Sequence, residues 1–77
     1  MNRLPVISGR TLVKVLERNG FEFLRQRGSH MLMRRTLEPH ITVPVPDHKE
    51  FKPGTLRGIL RDIGMSIEAL NKALKDL

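Results

Sequence analysis

The chain has no cysteine, no tryptophan and no tyrosine, and three phenylalanines are its only other large aromatic residues. The missing cysteine excludes disulfides and thiolate metal sites, and fits a reducing, cytoplasmic location. So few aromatic rings leave little material for stacking single-stranded bases. No apolar run approaches the ~20 residues that span a bilayer, and Met1 is not followed by a signal-like hydrophobic region. A basic face is nowhere combined with an exposed aromatic one, so a membrane surface is not expected as a partner. His30, His40 and His48 do not show a helical metal-ligand spacing, and no metal or other cofactor is expected. Negative charge is also scarce: eight Asp and Glu stand against fourteen Lys and Arg, for a formal charge of +6. That balance points to a polyanion, although many small proteins are basic only for solubility.

With 77 residues, the chain is expected to form a single domain, residues 1–77, around one modest core. A chain of this size buries only roughly 60% of the surface that its unfolded form exposes, so large substrate cavities are not expected. Ser8 is positioned to cap a helix with Leu12, Val13 and Leu16 on one face, ended by Asn19-Gly20. Residues 21–27 read as a strand of imperfect phase, because Phe21 and Phe23 share parity with Arg25 and Arg27. Either the strand leaves the core at its far end or a bulge intervenes.

Gly28-Ser29 signals a hairpin into a second strand, residues 30–35. After a turn at Leu37-Glu38-Pro39, Ile41, Val43 and Val45 alternate in a third strand. Pro44 and Pro46 cannot donate ladder hydrogen bonds, so that strand should lie at an edge or end early. Pro53-Gly54-Thr55 opens a second helix with Leu56, Ile59, Leu60 and Ile63 on one face and Gly64 as terminator. Ser66 caps a last, short helix. The pattern is α+β: helix, three-stranded meander, helix, short helix.

Chemistry concentrates at Gly28-Ser29-His30. Histidine moves protons near neutral pH, and Arg25 and Arg27 flank the turn with positive charge suited to a phosphate. RNA supplies its own nucleophile, the 2′-hydroxyl, so a protonatable ring beside cations suggests RNA cleavage. In that reading His30 is a general base or acid, supported by the Ser29 hydroxyl and the Gly28 and Ser29 amides as phosphate donors. The bland reading makes His30 a turn residue bonded to backbone.

His48 is a second candidate acid or base, or else a loop anchor, and His40 reads as structural. Arg25, Arg27, Arg34 and Arg35 form a basic cluster on adjacent strands. Arg57 and Arg61 add a helical stripe, with Lys49 and Lys52 in the loop between. These are candidate phosphate contacts or an ordinary solvated face.

These segments together resemble the HicA-type toxins, the small RNA-cleaving partners of HicB antitoxins. The resemblance is carried by Gly20-Phe21, Arg25 to His30, Val43 to His48, Lys52 to Leu56 and Ile59 to Ser66, and covers about Ser8 to Leu70. It implies a fold like the double-stranded-RNA-binding domain, with helices on one face of an antiparallel sheet. It also implies metal-independent endoribonuclease cleavage of mRNA, which blocks translation, with His30 as the required residue. Phosphate contacts are then expected from Arg25, Arg27, Gly28, Arg34, Arg35, Lys52 and Arg57. A HicB-like antitoxin is the implied protein partner, and the toxin alone is expected to be monomeric. Met31-Leu32-Met33 departs from the family, where another His or an aromatic residue often stands. The alternative is a non-catalytic RNA-binding module using the same basic face. A DNA-binding regulator is a poor fit, because no helix–turn–helix spacing is evident.

Overall fold

Local signals set the element boundaries. In the computed structural model, which describes residues 3–77, the Ser8 hydroxyl accepts a hydrogen bond from the Thr11 amide at 3.1 Å. That cap satisfies one of the donors that every helix start leaves unpaired. It opens α1 (Gly9–Glu17). The helix ends with Arg18 as its cap, slightly before the expected Asn19-Gly20 stop, and Gly20 follows at a φ of 87°. Three strands then form a meander, β1 (Phe21–Arg27), β2 (His30–Arg35) and β3 (Thr42–Pro46). The second helix, α2 (Pro53–Ile63), starts on its proline. It closes at Gly64, in the left-handed conformation, with the Met65 amide bonded back to the Leu60 carbonyl at 2.9 Å. Ser66 caps α3 (Ile67–Lys75) through the Ala69 amide.

The sheet is antiparallel with order β1-β2-β3. The third strand is an edge, as its two prolines require. Helices cover one face of the sheet. Met31, Met33, Val43 and Val45 point into them, and the core is completed chiefly by Leu12, Val15 and Leu16 of α1, Leu56 and Leu60 of α2, and Leu70 of α3. Burying each such side chain contributes roughly 1.5–3 kcal/mol, and this closely packed face holds the domain together. The arrangement is an α+β fold like that of a double-stranded-RNA-binding domain.

Both readings of the irregular first strand hold. Phe23 pairs with Met33 but Arg25 pairs with Leu32, so Leu24 is an extra residue in β1. The bulge lets Phe21 and Phe23 share the helix-covered face while Arg25 and Arg27 turn to the opposite one. Burial also fades along the strand, from Phe21, which is buried, to exposed residues beyond Glu22.

Helix α1 meets the sheet at unusually short range at its first residue. A Cβ on Gly9 would collide with the Pro46 carbonyl oxygen and press on the Met31 methyl. The Gly9 amide donates to the His48 carbonyl at 2.9 Å. Glycine is therefore required there by the contact between helix and strand, not by a turn.

Candidate active site

The Gly28-Ser29 turn joins β1 and β2 through two residues, with Gly28 at a φ of 60°. A two-residue hairpin loop needs a positive φ at its first position, which glycine adopts at no steric cost. The turn places His30 at the first position of β2, opposite Arg27 on one side and Pro46 on the other. Directly opposite residues in an antiparallel pair share a face. His30, Arg27 and Arg25 therefore lie together on the sheet face that carries no helix.

All three are exposed, and no hydrogen bond or ion pair holds any of their side chains among the described residues. The His30 ring is thus open to a substrate, with two unpaired guanidinium groups on the same strand pair. The Ser29 hydroxyl is likewise unengaged. Its carbonyl accepts from the Asp47 amide at 2.7 Å.

The remaining sequence candidates divide. Arg34 also lies on the open face, but its Nη2 donates to Glu22 Oε2 across the strand at 3.4 Å, and its Nε is enclosed without a partner. It stands four residues along β2 from His30, about 13 Å at ~3.3 Å per residue. Arg35 pairs with Phe21 at the far end of the sheet, so its parity is that of the helix-covered face. Its carbonyl is bonded to Nδ1 of His40 at 3.0 Å, in keeping with a structural part for that histidine. Lys52 precedes α2 without capping it through its side chain, and Arg57 is exposed on α2. Both belong to the helical layer, across the sheet from the face of His30.

His48 follows β3 and turns toward the helices. Its ring lies 6.2 Å from that of Phe51 at a tilt of 52°. It lines a cleft with Ser8, Arg10, Asp47 and Lys49.

Three residues that the sequence reading passed over meet at this end of the sheet. Arg10 donates to both carboxylate oxygens of Asp47, Nε to Oδ1 at 3.3 Å and Nη2 to Oδ2 at 3.4 Å. Gln26 Nε2 lies 3.4 Å from Asp47 Oδ2 and 3.2 Å from the Gly28 carbonyl. Hydrogen bonding and charge from Arg10, with smaller contributions from Gln26 and His48, hold the Asp47 carboxyl below its ordinary range. Asp47 in turn raises Arg10, first through their hydrogen bond. No local signal marks this cluster: Gln26 lies opposite Met31 but is exposed, and its contact with Asp47 spans 21 positions of the chain.

Among the described residues, no group of three His, Asp or Glu side chains is placed to hold a metal ion, and no helix is long and apolar enough to cross a membrane.

A helix-capped sheet with one bare, basic face defines a small α+β domain of the double-stranded-RNA-binding type. A family model described as the HicA toxin of bacterial toxin–antitoxin systems matches residues 9–65. The chain belongs to that family, and is the toxin of a toxin–antitoxin system. Comparisons with curated proteins and with solved structures gave no match.

Proposed function

We propose that this toxin is an endoribonuclease that cleaves mRNA without a metal, with His30 as general acid or base. The observation that carries the reading is the exposed, unbonded His30 imidazole beside Arg27 and Arg25 on the bare sheet face. In-line cleavage needs a base for the 2′-hydroxyl proton and an acid for the leaving 5′-oxygen. The 2′-oxygen attacks phosphorus, the bond to the 5′-oxygen breaks, and a 2′,3′-cyclic phosphate and a 5′-hydroxyl remain. A well-placed acid or base contributes about 10²–10⁴-fold. Arg27 and Arg25 supply charge for the phosphorane, and the Ser29 hydroxyl is a further donor to it.

His48 is the second candidate for proton transfer. Its place on the helical side of the hairpin end makes it the weaker one. Arg34, Arg35, Lys52 and Arg57 are outer phosphate contacts in this scheme, with Gly28 giving the backbone close approach to RNA. The toxin acts in the cytoplasm, alone as a monomer, and a HicB-like antitoxin neutralises it. The basic face favours an acidic partner, which would exclude RNA by charge and by bulk together.

The test is cleavage of a long mRNA in EDTA by wild type and by His30→Ala, with folding checked by circular dichroism. Wild-type cleavage that survives EDTA and falls about 10²–10⁴-fold in a folded His30→Ala protein supports the scheme. Equal cleavage by both removes His30 from the chemistry and turns attention to His48. RNA binding without cleavage by either favours a non-catalytic binding module.

A further inference from the structure

The His30 ring makes no hydrogen bond within the described chain, so no side chain orients it directly. Its position is fixed through the backbone of the hairpin it ends. Besides the ladders that β2 makes with β1 and β3, the turn end of the hairpin has hydrogen bonds that converge on Asp47. The Asp47 amide donates to the Ser29 carbonyl at 2.7 Å. Its carboxylate accepts from Gln26 of β1 and from Arg10 of α1. Gln26 closes the ring through the Gly28 carbonyl. The Asp47 side chain joins α1 to the end of β1, and its backbone amide ties the turn to the end of β3. The Asp47 side chain keeps only 20% of its exposure, against 76% for Arg10, so the carboxylate is the enclosed member.

We propose that Asp47, acting with Gln26, is a positioning residue for the Gly28-Ser29-His30 hairpin and sets the geometry of the reacting imidazole. The proposal rests on the reading of His30 as the residue that moves the proton. Asp47 touches no substrate in this scheme. It restrains the turn so that the ring meets the 2′-oxygen and phosphorus without first ordering the loop. Small misplacements of a reacting group are costly, up to about 10²-fold per ångström.

The experiment pairs cleavage kinetics with amide hydrogen exchange, both on the full chain. Asp47→Ala should lower kcat about tenfold with KM nearly unchanged. Amides at positions 28–30 and 47 should exchange faster, while those of Met33 and Val43 in the sheet centre keep their protection. Asp47→Asn keeps an oxygen that can accept from Gln26 and should recover most of the loss. Gln26→Ala, on an exposed strand end, should show the same pattern more weakly. It serves as the informative variant if Asp47→Ala does not fold.

A loss in KM alone would make Asp47 an RNA contact and overturn the proposal. Unchanged exchange at the hairpin in both variants would overturn it as well. If the wild type fails to cleave RNA, the ribonuclease reading fails by itself, and the exchange data still decide whether Asp47 holds the turn.

Discussion

The two faces of the sheet come from the same strands, yet they have opposite fates. Along β2, Met31 and Met33 are 5% and 0% exposed under the helices. Their neighbours His30, Leu32 and Arg34 stand on the bare side, from exposed to half-buried. The covered face is apolar, closely packed and indifferent to chemistry. The open face has unpaired cations and an unbonded imidazole, and contributes little to the core. Strand alternation lets a chain this small separate stability from function residue by residue.

The largest expected effect breaks the comparison at adjacent positions. Met33→Ala should destabilise the domain by about 2–5 kcal/mol, the range for large-to-small core changes. At about 4–8 °C per kcal/mol for a domain of this size, thermal denaturation will show it clearly. Leu32→Ala, one residue away on the bare face, should shift the melting temperature far less. Equal losses would mean that the open face is also a packing surface.

A smaller effect concerns acid. The folded chain keeps Asp47 ionised below the pH at which an unfolded aspartate takes up a proton, so in that window the folded state binds fewer protons. The stabilisation is complete at neutral pH. It fades as pH falls from the ordinary carboxylate range through the lowered value. Asp47→Asn should lower the melting temperature at neutral pH and so flatten the acid limb, with the two profiles converging as pH falls through the lowered value. An unaltered acid limb would show that the contact with Arg10 does not bear on stability.

The smallest effect belongs to the bulge. Deleting Leu24 leaves Phe23 opposite Met33, Arg25 opposite Leu32 and Arg27 opposite His30. The faces are therefore preserved, and both melting temperature and RNA cleavage should remain close to wild type. Loss of cleavage in a folded deletion variant would give the bulge itself, or the Leu24 side chain, a part in function.

Much of the fold was legible in the residues. Caps at Ser8 and Ser66, the stop at Gly64, the hairpin at Gly28-Ser29 and the edge strand at Pro44 and Pro46 act within a few positions of themselves. Local chemistry suffices to place them. The parity conflict between Phe23 and Arg25 flagged the bulge, but two outcomes were open and pairing was needed to show that both occur. The site was legible only in its centre. Arg25, Arg27 and His30 are linked by a two-residue turn and so must lie close together. The wider basic cluster was not one surface: Arg34 is engaged by Glu22, Arg35 has the other parity, and Lys52 and Arg57 sit in the helical layer.

The sequence by itself determined the elements, their order, the basic charge and the hairpin that presents His30, because each follows from short-range sterics, hydrogen bonding and periodicity. Tertiary structure alone decided which cations share a face with His30 and which are already paired. It also decided that Gly9 must lack a side chain and that Arg10, Gln26 and Asp47 meet. The close approach at Gly9 and the side-chain contacts of Asp47 depend on residues 21 to 37 positions apart in the chain being brought together. Long-range packing of helix on sheet sets such distances, and no local pattern encodes them.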